Sequence, residues 1–392
     1  MLRYFLFLVT LLSIHSSTYS EMESIFDYFG SIHNQKVLNQ PIIVYAWQGN
    51  YVHYLMGSLS SYLFEPLSIK ENLAKPTNKN LKWVKKEKFY ICVHDTGCGV
   101  HNAREWNNAV VNQYVDGDKY SASFQYVVGN DAIYRNIPDD IIGYHAGDGY
   151  EIDYNLIDSG VEYNGNLKPN ITISYDGFYE IDGKKSLIKA PMYLYKINEN
   201  DETFNERIAE TKDINDEGIR TIVKDGKYFL GETYFNTYFN KISNRGGNVN
   251  SIGIESCVNK GSDIYYTWMK DAKLIAYLMD KYNLTIDDVV PHHYFSGKDC
   301  PMTMRHSNMY KHVKNLAVIE FNILKFIQKG YKISFYCNNK EYVSGNGKVI
   351  KIPKKDLMVN YYITVEKDGF KKTKKFKSKI IGMSNILKLE IE

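Results

Sequence analysis

Two short apolar runs, each carrying ionisable residues near its end, constrain the fold of this chain more than any other feature. They are "FYICVHDTG" at residues 89–97 and "NSIGIESCV" at residues 250–258. The first run stops at Asp-Thr-Gly, and the second alternates isoleucine with glycine and glutamate. Both patterns predict buried strands that lead into loops.

Apolar residues recur at helical spacing in three further segments, at 102–115, 267–282 and 309–327. Residues 121–137 contain two β-rich runs joined by Gly-Asn-Asp, which predicts a hairpin. Strands that alternate with helices predict a domain of the α/β class, which we place at residues 85–329.

Two other parts of the chain have a different, purely β-like character. Residues 150–245 contain short β-like runs between charged, glycine-bearing turns, and we interpret them as a large insertion into the α/β domain. Residues 330–392 contain short alternating strands, which predict a small C-terminal β-sandwich that either binds the cell wall or acts as a spacer.

The first 20 residues have the layout of a secretory signal peptide, with Arg3, an apolar stretch and small polar residues that end at Ser20. We therefore expect a secreted, extracellular or wall-associated protein. No other stretch is apolar enough to span a membrane, so no membrane partner is expected after signal removal. Residues 21–84 are interpreted as an N-terminal segment and linker, with a short helix within 51–64.

Charge and cysteine content narrow the possible partners and sites. The net charge of +3 mildly suits an anionic polymer such as a cell wall and falls short of a nucleic-acid footprint. Oligomeric state is not predicted. Export implies an oxidising environment, yet there are five cysteines, so at least one has no intramolecular partner. A metal-bound cysteine would explain the odd thiol.

The segment "HHYFSGKDCP" at residues 292–301 supplies candidate metal ligands. Together with His94 at the end of the first strand, a histidine and Cys300 give two nitrogens and one sulfur. This set suits tetrahedral Zn²⁺ and leaves a fourth position for water, as in catalytic zinc sites. From the residues alone, Cys300 could equally form a disulfide with Cys257 or Cys98.

Four motifs in order resemble the zinc-dependent N-acetylmuramoyl-L-alanine amidases, which share their fold with phage amidases and peptidoglycan recognition proteins. They are the strand ending in "VHDT", the "YHAG" loop, "NSIGIE" and His-x5-Lys-x-Cys-Pro. The resemblance covers about 85–150 and 246–328. It implies a central mixed β-sheet flanked by helices, with the large insertion between the two parts.

The resemblance also implies roles for individual residues. His94, His292 and Cys300 would bind Zn²⁺, because the family spacing selects His292, eight residues before the cysteine, over His293.

Glu255 would act as general base, Lys298 would face the reacting carbonyl, and His145 would contact the substrate. Relatives use either this glutamate or a hairpin tyrosine, and here the hairpin has Phe124, followed by Gln125 where many relatives have histidine.

The implied function is that of a secreted zinc hydrolase of peptidoglycan. It would cleave the amide bond between N-acetylmuramic acid and L-alanine, with zinc-bound water as nucleophile and Glu255 as base. One alternative is a non-catalytic peptidoglycan-binding module, although such relatives typically lose the cysteine ligand. Another is an unrelated zinc peptidase, which is disfavoured because the sequence has no His-Glu-x-x-His helix.

Overall fold

A computed structural model of the chain describes most of its 392 residues. The described ranges are 2–33, 42–46, 51–55, 57–78, 81–146, 156–190, 192–196, 204–214, 219, 221–231, 247–296, 299–385 and 387–391.

The helices are α1 Leu2–His33, α2 Ala103–Asn112, α3 Gly247–Asn250, α4 Ile264–Tyr282, α5 His292–Ser296, α6 Met302–His306 and α7 Tyr310–Gln328. The strands up to residue 142 are β1 Ile42–Ala46, β2 Tyr51–Leu55, β3 Ile69–Glu71, β4 Lys82–Lys85, β5 Tyr90–Asp95, β6 Tyr114–Val115, β7 Asp118–Lys119, β8 Tyr126–Val128, β9 Ile133–Arg135 and β10 Ile141–Ile142. The later strands are β11 Leu156–Glu162, β12 Ile171–Ile173, β13 Phe178–Ile181, β14 Lys184–Lys189, β15 Tyr193–Lys196, β16 Phe204–Arg207, β17 Thr221–Lys224, β18 Lys227–Gly231, β19 Ser251–Ser256, β20 Val289–Pro291, β21 Lys332–Cys337, β22 Leu357–Lys367, β23 Phe370–Ile380 and β24 Leu387–Ile391.

Six of the described strands form the central sheet, in the order β20-β5-β19-β8-β9-β3. Strands β20, β5, β19 and β8 run parallel, β9 is antiparallel to β8, and β3 is parallel to β9. The two sequence runs that predicted buried strands are β5 and β19, and the hairpin is β8 and β9. The predicted α/β fold with a mixed sheet flanked by helices is thereby confirmed.

Successive side chains of each strand point to opposite sides, so the sheet has two different faces. On one face, Ile91, Val93, Ile252 and Ile254 pack against α4 and α7 in the main core. The long helices form there because their apolar residues recur on one side, as with the fully buried Trp268. Burial of this apolar area is the main stabilising contribution to the domain.

The opposite face is covered by helices only in part. Helix α2 packs over β8, and α5 packs over β5 and β20. Helix α2 begins at a capping box formed by Asn102 and Glu105, which satisfies the first free amide groups. Strand β19 lies between the two covered regions, so the side chains near its C-terminal end remain reachable from outside.

The N-terminal region differs from the sequence prediction. The predicted short helix within 51–64 is wrong, because Tyr51–Leu55 is strand β2, which pairs with β1. Strand β3, at Ile69–Glu71, forms an edge of the central sheet, so the sheet includes residues before the predicted domain start at residue 85. β3 lacks the apolar run that predicts a strand, because two of its three residues are Lys70 and Glu71.

Residues 156–231 are the described part of the predicted insertion, and they contain β11 to β18. These strands pair among themselves in small sheets, and the described ones have no pairing with the central sheet. They share a separate apolar core that includes Tyr179, Ile181, Tyr228 and Leu230. The described strands of this segment thus pair and pack with one another, and its interpretation as an insertion into the α/β domain stays a prediction.

The C-terminal region contains a three-stranded antiparallel sheet, β21-β22-β23, and its last strand, β24, pairs with β1. The predicted β-sandwich is not confirmed. Its buried face, with Val359, Tyr361 and Ile363, packs in one core with Phe26 and Phe29 of α1. The sequence pattern predicts one buried face correctly, but it does not show that a helix covers that face.

Helix α1 spans the predicted signal peptide and continues beyond it. Its described buried residues begin at Thr18 and continue with Met22 and Ile25. Among the described helices, none combines the length and hydropathy needed to cross a bilayer.

Candidate metal centre

Three neighbouring strands place ionisable side chains in one row of the central sheet. Glu255 of β19 is the register partner of His94 in β5, so both side chains lie on the same face. Pro291 of β20 is the partner of Val93, so His292, the next residue, lies level with His94. Parallel strands that end together therefore bring these residues to one edge of the sheet.

The three predicted metal ligands come together at this edge. His94, His292 and Cys300 are all buried, and each offers a ligand atom within 4.8 Å of the other two. The imidazole rings of His94 and His292 have centroids 4.7 Å apart. Cys300 Sγ lies 3.7 Å from His94 Nδ1.

These distances fit a tetrahedral zinc ion. Zn–N bonds of ~2.0–2.1 Å and a Zn–S bond of ~2.3 Å separate the nitrogen and sulfur of one tetrahedron by about 3.6 Å. The observed separation of 3.7 Å between His94 Nδ1 and Cys300 Sγ is close to this value. Two imidazoles and one thiolate are also ligands that Zn²⁺ accepts.

Cys300 is held by the last residue of β5, Asp95. Its Sγ lies 4.0 Å from the Asp95 carbonyl oxygen. The Asp95 carboxylate accepts a hydrogen bond from the backbone N–H of Thr303 at 2.7 Å, which fixes the start of α6. The end of β5 thus anchors both His94 and the loop that carries the cysteine.

Glu255 lies beside the three candidate ligands. Its Oε1 is 3.8 Å from His94 Nδ1, and its side chain is 14% exposed, whereas that of His94 is 1% exposed. A carboxylate in this position is close to the candidate metal and still reachable from solvent. This is the geometry that a proton-transfer group requires.

His145 does not occupy the position expected of a substrate contact. It is 8% exposed, and its Nδ1 lies 3.0 Å from His94 Nε2, on the side of His94 that faces away from Cys300. Burial, together with the charge of Lys88, holds the pKa of His145 well below its ordinary value. His145 is therefore a neutral residue behind His94, and the predicted contact with substrate does not fit its burial.

Two residues near the site were not assigned a role from the sequence. Burial and the Glu255 carboxylate raise the pKa of Tyr120, which places this tyrosine within electrostatic reach of Glu255. Gln125 joins two strands, because its Oε1 accepts from Gly253 N–H at 2.7 Å and its Nε2 donates to the Ile141 carbonyl at 2.8 Å. No sequence motif singled out Tyr120, because the family resemblance placed the hairpin tyrosine of relatives at Phe124.

Some predicted residues lie outside what the structure describes. Lys298 is outside the described ranges, and the side chain of His293 is not described. The segment after β20 begins as helix α5. All five cysteines are described and carry free thiols, so neither disulfide considered for Cys300 is present.

Comparisons with known proteins relate part of the chain to peptidoglycan amidases. No protein-family model matches it. It is 45% identical over 58 residues to the N-acetylmuramoyl-L-alanine amidase XlyA of Bacillus subtilis (strain 168), a match covering 15% of this chain and 20% of that protein. The amidase CwlH of the same organism is 42% identical over 59 residues, which cover 15% of this chain and 24% of CwlH. The matched segment thus spans about a fifth to a quarter of these relatives.

Solved structures of such enzymes also align with the chain. The catalytic domain of XlyA aligns with a TM-score of 0.36 and 19% identity, covering 64% of this chain and 99% of that domain. The Staphylococcus aureus hydrolase AmiA, solved in complex with its ligand, aligns with a TM-score of 0.33 and 13% identity, covering 68% of this chain and 87% of AmiA.

Proposed function

We propose that this chain, a relative of the N-acetylmuramoyl-L-alanine amidases, hydrolyses the amide bond between N-acetylmuramic acid and L-alanine in peptidoglycan. The observation that carries the proposal is the convergence of His94, His292 and Cys300 beside the partly exposed carboxylate of Glu255. We further propose that the protein is secreted and acts on the cell wall.

His94, His292 and Cys300 would hold a zinc ion, which lowers the pKa of water toward ~7 and polarises a carbonyl. Glu255 would take a proton from the attacking water. It would then return that proton to the nitrogen of L-alanine as the carbon–nitrogen bond breaks. One water molecule is consumed, and the products are a free lactyl carboxylate and a free amino terminus.

Lys298 would place its ammonium near the oxyanion that forms on the lactyl carbonyl. This role rests on the family resemblance alone. Tyr120 would form part of the wall beside Glu255, where its hydroxyl can meet the substrate. Support for this placement is the effect of the Glu255 carboxylate on the pKa of Tyr120.

We also propose that the segment 150–245 forms one wall of the substrate groove. A groove of about 630 Å³ lies between this segment and the central sheet. Leu167 and Ile222 line it from the inserted segment, and Tyr90 and Tyr294 line it from β5 and α5. Tyr294 is on α5, the helix that begins at His292, but the groove lies at the starts of β5 and β19, and His94, Glu255 and Cys300 do not line it. It would therefore hold a part of the substrate away from the cleaved bond.

The test is mass spectrometry of purified peptidoglycan after treatment with the protein, with and without a chelator and added zinc. We expect stem peptides with a free amino-terminal alanine, lost with the chelator and restored by zinc. The matched variant is Cys300→Ala, which should remove both zinc and cleavage. A chain that sediments with the wall and never cuts it would instead be a recognition module, the runner-up function.

A further inference from the structure

Both ring nitrogens of His94 are engaged, and they face different surroundings. Nδ1 points toward Cys300 Sγ at 3.7 Å and Glu255 Oε1 at 3.8 Å. Nε2 points the other way, 3.0 Å from His145 Nδ1 and 3.1 Å from Cys92 Sγ. A neutral imidazole has one N–H and one lone pair, so Nδ1 can bind a metal only if the proton is on Nε2.

We infer that His145 is a positioning residue that fixes His94 in the metal-binding tautomer by accepting a hydrogen bond from its Nε2–H. The inference rests on the proposed function, because it concerns the same metal site. Metal-binding histidines commonly donate their second N–H to such a partner, which sets the orientation of the ring and raises its basicity as a ligand. In this chain the partner is another imidazole instead of a carboxylate.

His145 and Cys92 favour opposite tautomers of His94. A thiol is a weak acceptor, and as an S–H donor Cys92 would take the lone pair of Nε2. That arrangement moves the His94 proton to Nδ1, where it blocks the metal. The His145 nitrogen is the stronger acceptor of the two, so it holds the proton on Nε2.

The surrounding fold orients His145 closely. Asn248 Oδ1 accepts hydrogen bonds from the backbone N–H groups of His145 and Ala146 at 2.7 and 2.8 Å. The His145 ring lies flat against Gly253, where a Cβ atom would come within 2.8–2.9 Å of three ring atoms. For Nδ1 to act as the acceptor, the ring proton of neutral His145 must be on Nε2.

A second, fully buried metal site would be an alternative explanation of these contacts. Cys92, His94 and His145 also form a group whose ligand atoms lie within 4.8 Å of one another. However, two imidazole nitrogens on one tetrahedral zinc ion are about 3.4 Å apart, and nitrogen and sulfur about 3.6 Å. The observed 3.0 and 3.1 Å are hydrogen-bond distances instead.

The test measures the zinc dissociation constant of the whole chain by competition with a chromogenic chelator. His145→Leu removes the acceptor and should weaken zinc binding ~10–100-fold. His145→Asn keeps an acceptor oxygen at the place of Nδ1 and should recover most of the affinity. Gly253→Ala displaces the ring without changing either imidazole and should weaken binding in the same direction. Cys92→Ala is the matched control: it removes the thiol that competes for Nε2, so it should bind zinc at least as tightly as wild type.

Nitrogen-15 NMR of the histidine rings supplies a readout that does not depend on activity. Wild-type protein should show His94 protonated at Nε2, and His145→Leu should show a mixture of tautomers. Unchanged zinc affinity in folded His145→Leu and Gly253→Ala proteins would overturn the inference. Loss of a second zinc equivalent in both His145→Leu and Cys92→Ala would overturn it in favour of the buried metal site. Zinc binding without wall cleavage would refute the proposed function and leave this inference to be decided by the variants.

Discussion

At the scale of single residues, the candidate centre separates metal binding from proton transfer. His94, His292 and Cys300 are buried, whereas the Glu255 side chain keeps 14% of its surface exposed. A buried carboxylate without such access would be costly and could not exchange protons with water. The difference in exposure therefore predicts which substitution removes metal and which removes only chemistry.

Glu255→Gln should retain zinc at the wild-type affinity and lose activity by ~10²–10⁴-fold, because the amide cannot accept the proton. The measurement is the rate of release of amino-terminal alanine, alongside zinc content by atomic absorption. Cys300→Ala is the comparison variant, since it should lose both bound zinc and activity. Activity within a few-fold of wild type in Glu255→Gln would assign the base elsewhere.

Asp271 provides a pH-dependent prediction on the opposite face of β19. It is fully buried, and its carboxyl accepts a hydrogen bond from the Ser256 hydroxyl at 2.6 Å. Burial raises the pKa of Asp271 to about 8. The ordinary value is ~3.9, so the folded protein retains this proton between about pH 4 and 8 while the unfolded chain releases it. This group therefore makes the free energy of unfolding fall as pH rises through that window.

Asparagine cannot ionise, so Asp271→Asn should remove this group's contribution to the pH dependence of the free energy of unfolding. Relative to wild type, its free energy of unfolding should increase by up to about 1.4 kcal/mol for each pH unit between pH 5 and 8. Urea denaturation of both proteins at pH 5, 6.5 and 8 measures the difference. Parallel pH profiles would mean that Asp271 is already ionised in the folded state.

The family resemblance was sufficient to predict that His94, His292 and Cys300 lie together, because the family spacing selects His292 over His293. It was not sufficient for His145, since the "YHAG" motif identifies a histidine near the site without saying which side of His94 it lies on. That depends on packing against Gly253 and Asn248, which the chain supplies about 100 residues later.

At the scale of elements, the strands with regular alternation were predictable and the short or polar ones were not. β5 and β19 have apolar runs because both of their faces are buried. β3 has only three residues and two are charged, so its place in the sheet depends on pairing with β9. The short strand β2 occurs within a run that is equally compatible with a helix, and pairing with β1 decides the outcome.

The groove between the inserted segment and α5 predicts that residues on both of its walls contact the substrate. Tyr294→Ala on α5 and Ile222→Ser on β17 should each raise KM ~2–10-fold with little change in kcat, because each removes a contact from one wall. Tyr175→Ala is the control, since Tyr175 belongs to the same segment, is 95% exposed and does not line the groove. Deletion of the segment without a change in which muropeptides are cut would refute this role.

At the scale of the whole molecule, α1 and the C-terminal sheet form one core. Met22, Ile25, Phe26, Phe29 and Ile32 are each at most 3% exposed in that core. Burying five large apolar side chains contributes several kcal/mol, comparable to the total stability of many domains. The C-terminal region is therefore packed on the rest of the chain and is not a free module.

This packing predicts how far the N-terminus can be shortened. A chain that begins at Glu21, after the predicted signal peptide, keeps every one of those five residues and should melt at the same temperature as the full chain. A chain that begins at residue 34 should lose the C-terminal sheet and become sensitive to protease within 330–380. Equal melting temperatures for the two shortened chains would show that α1 contributes nothing to this core.

The joining of α1 to β22 and β23 also has a consequence for the order of events during synthesis. The helix is synthesised before the strands that cover it, Leu357–Lys367 and Phe370–Ile380. At ~5–20 residues per second, its apolar side remains uncovered for on the order of tens of seconds. During that interval the nascent chain presents a continuous hydrophobic surface on α1, which β22 and β23 can cover only after both have been made.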